Sequence, residues 1–445
     1  MLLRCLLLLI VSLYCNLSLS QSIYEFDYYF DINKTREHYK ALMVRYEDGT
    51  GFIRVKFRDS ATHSWILVDM DMQEHYMGDE DETDSRKTDS SILVFEGIDP
   101  QVVTGPQDLE YDPDLFLFEK NKQDGVYDPL AVLSKDDNGK DVEGVVTEMR
   151  LLNEGDLTKE LVSEYFTEKD EIYVNLFEEA SVRAPTPQQK ATRLFLVLVA
   201  NTNDLSIGPT CKVDKDATYT TFSQLAEFLK IQFVPNVIEG KDFSKINVDN
   251  AINGIKPASN DIVVFYYSGH GFNDVKTNYK FPFLDLRDKT YQQYGEPYTL
   301  NIEDIFKRIK MKGARMNLVI SDCCNADPSQ SNIAISDGAS TRTSSVGWNI
   351  GNCWSLFMNN KPGSILVTAA QKGELSAGNS TGGIFTFNFR ESLDKALGVF
   401  YNNSSWNDVL VAAQKQTVNK AKRTWCTQPD NSKKVCVQNP VFRME

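Results

Sequence analysis

From Arg193 onward, short apolar runs alternate with amphipathic segments, and no other feature of the sequence constrains the fold as strongly. Residues 194–200, Leu-Phe-Leu-Val-Leu-Val-Ala, are apolar at every position. A strand with one wet face alternates apolar and polar residues, so an unbroken run marks a strand covered on both faces. The same texture recurs at Ile262–Tyr267, and further strands are predicted over Gln232–Ile238, Asn317–Ser321 and Ser364–Thr368. Between them Phe222, Leu225, Phe228 and Leu229 fall on one helix face, and Val248–Ile255, Ile302–Lys310 and Phe385–Leu397 are predicted helices. Strands alternating with helices predict an α/β fold, a mainly parallel sheet with helices on both faces.

The preceding residues differ in texture and predict a β-rich domain. Ala41–Tyr46 and Phe52–Phe57 are β-prone runs flanking Glu47-Asp48-Gly49-Thr50-Gly51, a hairpin signal, and Ser64–Met70 reads as a third strand. Leu157–Phe166 has helical character, and the prolines of the segment Arg183–Lys190 mark a domain boundary. The predicted organisation is a leader over 1–20, a β-rich N-terminal domain over 21–155, a helical segment and linker over 156–192, and an α/β domain over 193–445.

The leader joins a basic Arg4 to the apolar run Leu6–Leu13 and then to small residues at Ser18 and Ser20. That order predicts a secretory signal cleaved near Ser20, and the run is shorter than the ~20 residues a membrane span needs. A secreted or periplasmic location follows, with no membrane span. The formal net charge of −15 argues against a nucleic-acid partner, because phosphate binding needs a basic face. Of the eight cysteines, Cys5 and Cys15 lie in the leader. The rest are too sparse for a disulfide scaffold, although Cys426 and Cys436 could pair in an oxidising compartment. No Cys/His spacing suggests zinc.

Two predicted strand ends carry reactive groups. Ile262–Tyr267 runs into Ser268-Gly269-His270-Gly271, and Asn317–Ile320 runs into Ser321-Asp322-Cys323-Cys324-Asn325. Ligands of open α/β sheets sit at the carboxyl ends of strands. His270 is the only histidine after His75, so an imidazole base for this domain has no other source. His38, His63 and His75 have no partner in the sequence and read as surface or structural groups. A Cys at one strand end and His270 at its neighbour would give thiol chemistry, with Cys323 or Cys324 as nucleophile. Backbone N–H groups at Gly271 and Cys324 are candidates to hold the developing oxyanion. Asp322, two residues before Cys324, projects toward the same pocket.

An apolar strand ending in Ser-Gly-His-Gly, followed by one ending in Asp-x-Cys, resembles the caspase-like clan of cysteine peptidases. Tyr-Ser-Gly-His-Gly with Asp-Cys-Cys-Asn is similar to its metacaspase branch. The likeness extends over Arg193–Phe442 and includes Ile365–Gln371 and Gly382–Thr386; residues 21–155 match nothing in that clan. Metacaspases usually carry His-Ser-Gly after the cysteine, where this chain has Asn325-Ala326-Asp327.

The resemblance implies a caspase-like fold for 193–445 and a cysteine endopeptidase in which Cys324 is the nucleophile and His270 the base. It aligns Cys211 and Asp214 with residues lining the specificity pocket. With Asp322 they imply a pocket for a basic side chain, and so protein or peptide substrates cleaved after Arg or Lys. It implies self-cleavage in the loop 329–351 or the interdomain linker, with Arg342, Arg183, Lys190 and Arg193 as candidate sites. By position, Asp285, Glu303 and Asp304 resemble acids that bind activating calcium in some metacaspases; the chemistry itself requires no cofactor. Two other functions fit the same pattern, a non-catalytic binding protein on this scaffold and a transpeptidase or ligase.

Overall fold

The computed structural model describes residues 21–32, 35–46, 49–59, 62–77, 89–106, 109, 111–120, 127–135, 139–177, 191–274, 278–287, 295–327, 347–359, 363–379, 381–401, 404–427 and 432–445. They fall into two compact units, one reaching to Phe177 and the other holding nearly all described residues from Ala191 on.

The first unit is a closed antiparallel barrel of eight strands. They are β1 (Gln21–Ile32), β2 (Thr35–Tyr46), β3 (Thr50–Arg58), β4 (Trp65–Met77), β5 (Asp89–Thr104), β6 (Leu115–Lys120), β7 (Tyr127–Lys135) and β8 (Asp141–Leu152). Each pairs with the next, and β8 returns to β1. Alternation sets the inside: Tyr24, Phe26, Tyr28 and Phe30 of β1 are buried at every second position. Facing residues such as Met43, Met70, Phe95 and Phe116 fill the interior, which is a packed core. Pro129, which has no N–H for the ladder, sits where the β6–β7 register shifts. Asp114 is buried beneath two hydroxyls, accepting from Tyr28 (2.8 Å) and Tyr111 (2.6 Å). Burial pushes its carboxyl up to about 6. After the barrel come α1 (Lys159–Tyr165), within the predicted helical stretch, and α2 (Glu171–Phe177). Buried Arg54 of β3 pairs with Asp69 of β4 (2.6 Å) and ties the helices down through the Tyr165 carbonyl of α1 (3.2 Å) and through Asp170 (3.1 Å), just before α2.

The second unit is built on a six-stranded sheet in the order β10-β9-β11-β15-β16-β21. Its strands are β9 (Arg193–Ala200), β10 (Gln232–Glu239), β11 (Ile262–Ser268), β15 (Met316–Asp322), β16 (Gly363–Thr368) and β21 (Val441–Met444). Five are parallel, and β21 runs antiparallel on the edge. The continuous apolar runs occupy the centre: every residue of β11 and β15 is buried. Pro235 lies in the edge strand β10, where no further strand needs its N–H. The helices are α3 (Gly208–Phe228), α4 (Lys245–Gly254), α5 (Ile302–Lys310), α6 (Ile350–Phe357), α7 (Ile384–Leu397) and α8 (Trp406–Lys422). One apolar cluster joins α3, α6, α7 and α8 to one face of the sheet, and a second joins α4 and α5 to the other.

α5 shows why these segments are helical. Ile302, Ile305, Phe306 and Ile309 form its buried stripe, and the Asn301 side chain caps its start by accepting from Glu303 N–H (2.8 Å). Acids begin the helix and Lys307, Arg308 and Lys310 end it, matching the helix dipole. Two expectations are corrected. α4 starts three residues earlier than predicted because Ser244 caps it, and Phe228 is exposed while Phe222 and Leu225 carry the buried face of α3.

Smaller elements frame the carboxyl ends of the sheet. β12 (Gly271–Phe272), β13 (Phe283–Asp285) and β14 (Thr299–Asn301) form an antiparallel triplet, and β17 (Gly378–Asn379) pairs with β18 (Gly382–Gly383). β19 (Trp425–Thr427) and β20 (Lys433–Val435) pair beside a Cys426–Cys436 disulfide. No described helix is long and apolar enough to cross a membrane.

Candidate active site

β11 and β15 are neighbours in register, with Ser268 opposite Asp322. The turns leaving them therefore emerge side by side and bring His270 to the segment Cys323-Cys324. Both segments line one cavity of about 480 Å³, with Cys211, Asp214, Asp322 and Ser376.

The main chain at His270 is fixed from two sides. Its carbonyl accepts from Tyr267 Oη (2.6 Å) and from Asp285 N–H (3.0 Å). Gly271 then passes directly over the cysteines. A Cβ there would lie 2.5 Å from Cys323 Sγ and 2.7 Å from the Cys324 carbonyl, so no other residue fits without moving them. The His270 ring is partly exposed, and its Nε2 lies 3.1 Å from Asp204 Oδ2. Asp204 is a site residue that sequence reasoning missed.

The two adjacent cysteines separate by environment. Cys323 is 2% exposed and packs in the apolar cluster below the sheet ends, where burial pushes its thiol far up. Cys324 is partly exposed to the cavity, and its Sγ accepts from Ser376 N–H at 3.4 Å. Burial pushes the Cys324 thiol up to about 11, so at neutral pH it rests as the thiol. Asn325 is fully buried. Its Nδ2 donates to the carbonyls of Lys280 and Ala370 (3.1 Å each), and its Oδ1 accepts from Asn273 Nδ2 (2.9 Å). The position that departs from the metacaspase pattern thus holds loops together behind the cysteine.

Asp214 and Asp322 form the electrostatic centre of the cavity. Asp214 reaches in from α3 and accepts from Ser268 Oγ (2.8 Å) and Gly383 N–H (2.8 Å). Asp322 accepts from Ser376 Oγ (2.5 Å), from Thr386 N–H (2.9 Å) and from Thr386 Oγ1 (2.7 Å). A Cβ at Gly383 would collide with Asp322 and crowd Asp214, so this glycine lets both carboxylates approach one backbone. Both acids are buried, and neither has an ion pair among the described residues. Burial first, and then the neighbouring Asp322, push the Asp214 carboxyl up to about 8. Burial likewise raises Asp322. Cys211 is buried beside them, its thiol pushed up to about 12 by burial.

The residues suggested for calcium are not gathered together. Asp285 is paired with Arg287 (2.6 Å), Glu303 with Arg443 (2.9 Å) and Asp304 with Lys307 (3.3 Å). No three His, Cys, Asp or Glu side chains among the described residues are placed to hold a metal ion. Of the cleavage candidates, Arg193 opens β9, and Asp261 binds both its N–H (2.8 Å) and its guanidinium (2.7 Å). Arg342, Arg183, Lys190 and the leader with Ser20 lie outside the described residues. His38 and His63 are exposed on the barrel.

A family model described as "Caspase domain" matches residues 196–436, more than half of the chain. The chain belongs to the caspase family, and its second unit is of the caspase and metacaspase type of cysteine peptidase. Among solved structures it is similar to a protein of Geobacter sulfurreducens at 16% identity, covering 57% of this chain and 92% of that one, with a TM-score of 0.31. It is also similar to Caspase-1 from Spodoptera frugiperda at 13% identity, covering 57% and 87%, with a TM-score of 0.32. The Drosophila initiator caspase Dronc matches at 10% identity over 59% and 85%, with a TM-score of 0.30. No curated protein matches the chain.

Proposed function

We propose that the chain is a secreted cysteine endopeptidase that cleaves after Arg or Lys, with His270 as base and Cys324 as nucleophile. One observation carries the specificity: two buried carboxylates without an ion-pair partner line the same cavity as the thiol and the imidazole. Two such charges favour a cationic guest, and a guanidinium can bond both at once. An Asp side chain would be repelled.

His270 takes the thiol proton, and Cys324 Sγ attacks the carbonyl carbon of the scissile bond. Gly271 and Cys324 N–H groups hold the oxyanion. The imidazolium gives its proton to the departing amine as the C–N bond breaks, and water then releases the acyl group from Sγ, restoring the thiol. The Cys426–Cys436 disulfide supports an oxidising destination for the mature chain.

A panel of fluorogenic peptides with Arg, Lys or Asp before the scissile bond tests the reading, with Cys324→Ala and His270→Ala as controls. Cleavage after Arg and Lys, lost in both controls, is expected. Preference for Asp, or activity that survives Cys324→Ala, overturns it.

A further inference from the structure

We infer that Asp204 is the positioning residue of this site: it holds the His270 proton on Nε2, so that Nδ1 is the nitrogen that takes the proton of Cys324. The inference rests on the dyad proposed above. Its basis is the packing order of the strands. β9 lies beside β11, with Ala200 opposite Ser268, so the turn after β9 runs alongside His270. Asn201 N–H donates to the Ser268 carbonyl (3.0 Å) and ties that turn to the histidine strand.

Within the turn, one carboxylate oxygen of Asp204 is fully engaged. Oδ1 accepts from Ser206 N–H (2.8 Å), Ser206 Oγ (2.6 Å) and Ile207 N–H (3.0 Å). These bonds anchor the carboxylate and leave Oδ2 to face His270 Nε2 at 3.1 Å. The imidazole, followed by the Ser206 and Ile207 donors, holds the Asp204 carboxyl well below its usual range, so it is ionised throughout the working pH range. An ionised carboxylate only accepts, so the proton of a neutral His270 must sit on Nε2, leaving Nδ1 bare. The His270 carbonyl is already fixed by Tyr267 and Asp285. What remains free is rotation of the ring, and the bond to Asp204 sets it.

The same carboxylate favours the imidazolium that forms when the Cys324 proton transfers. That help is needed because the thiol starts high, near 11. The other titratable groups of the cavity are Cys211 and Asp214 of α3, with Asp322, Cys323 and Cys324 at the end of β15. No lysine or arginine lines it among the described residues, so no fixed cation there competes with His270 for the Asp204 carboxylate.

Asp204→Asn is the test, because its amide oxygen can keep the bonds to Ser206 and Ile207 while the charge is lost. In the full chain, kcat on an Arg peptide is expected to fall about a hundredfold or more, the usual worth of a poised base. KM should stay within about threefold. Alkylation of Cys324 by iodoacetamide should slow in parallel, since it needs no substrate pocket. In wild-type protein, ¹⁵N spectra of the four histidines, with His270 assigned by its loss in His270→Ala, should show neutral His270 protonated on Nε2.

A wild-type His270 protonated on Nδ1 overturns the inference. So does an Asp204→Asn protein that keeps its melting temperature and alkylates Cys324 as fast as wild type. Inert Cys324→Ala and His270→Ala beside a fully active Asp204→Asn would sink this inference and leave the dyad standing. Active Cys324→Ala would sink the dyad itself.

Discussion

Replacing Asp214 by Asn removes one charge from the proposed specificity pocket while disturbing little else. The amide oxygen can still accept from Gly383 N–H, and the amide nitrogen can donate to Ser268 Oγ, so both observed bonds have a replacement. Asp322→Asn is less clean, because Asp322 accepts twice from Thr386 and once from a Ser376 hydroxyl that itself accepts from Gln438 Nε2 (3.1 Å). A desolvated charge left without its partner costs about 2–5 kcal/mol. At about 1.4 kcal/mol per tenfold, kcat/KM for an Arg peptide should fall by roughly 30-fold to a few thousandfold.

Stability should move the other way. The folded carboxyl is raised to about 8, above the ~3.9 of an unfolded Asp, so its contribution is fully present below the unfolded value and is lost as pH rises through 8. Asp214→Asn removes that loss. The variant should melt higher than wild type at pH 8 to 9, with the difference shrinking toward pH 4. Cation binding needs the ionised acid, so KM of the wild type for Arg peptides should rise as pH falls below 8, a trend the variant should weaken because Asp322 alone then titrates. Peptide kinetics and thermal melts across that range read all three effects. Unchanged kcat/KM together with a lower melting temperature at pH 8 would refute the assignment of Asp214 as a buried, guest-seeking charge.

Four further outcomes are expected. Cys323→Ala should keep activity within a few fold and cost about 1 kcal/mol for the cavity it leaves, whereas Cys324→Ala should be dead; the reverse pattern in peptide assays would exchange the two cysteines. Gly271→Ala should cut the rate sharply at a stability cost of about 1–3 kcal/mol, because its Cβ would press on Cys323 Sγ and the Cys324 carbonyl; near-wild-type turnover would show that the loop yields freely. Activity should be unchanged in excess chelator, since calcium at Asp285, Glu303 and Asp304 would have to break three ion pairs; a loss would restore those acids as candidates. Mass spectrometry of incubated protein should show cuts after Arg342, Arg183 or Lys190 that are missing from Cys324→Ala; an intact chain that still cuts peptides would remove self-processing.

The sheet and two of the candidate groups were legible in the sequence for the same reason. A strand covered on both faces must be apolar throughout, so the first polar residues after Tyr267 and Ile320 mark where the chain leaves the core. Reactive groups at those points had to share one edge of the sheet. Asp204 was not legible. It sits in Asn201-Thr202-Asn203-Asp204, which reads as an ordinary turn, and its link to His270 exists only because β9 lies next to β11. Closure of the N-terminal barrel was hidden likewise, since alternation in β1 and β8 gives each strand a face and not a partner. α8 escaped notice because its buried positions, Trp406, Val409, Leu410 and Ala413, are interleaved with polar residues such as Gln416 and Thr417 that are also buried.

Under the proposed function, the charges of the cavity couple recognition to chemistry. The surroundings of Cys324 are hostile to a thiolate: burial raises the thiol first, and the neighbouring Asp322 raises it further. Asp204 cannot remove that penalty, because it stabilises the imidazolium and leaves the sulfur where it was. A guanidinium or ammonium seated between Asp214 and Asp322 would cancel the repulsion at its source and lower the cost of ionising Cys324. The same two carboxylates that select a basic residue would then make the thiol more reactive once that residue is bound, and reaction with a substrate lacking a cation would be slowed in the chemical step as well as in binding.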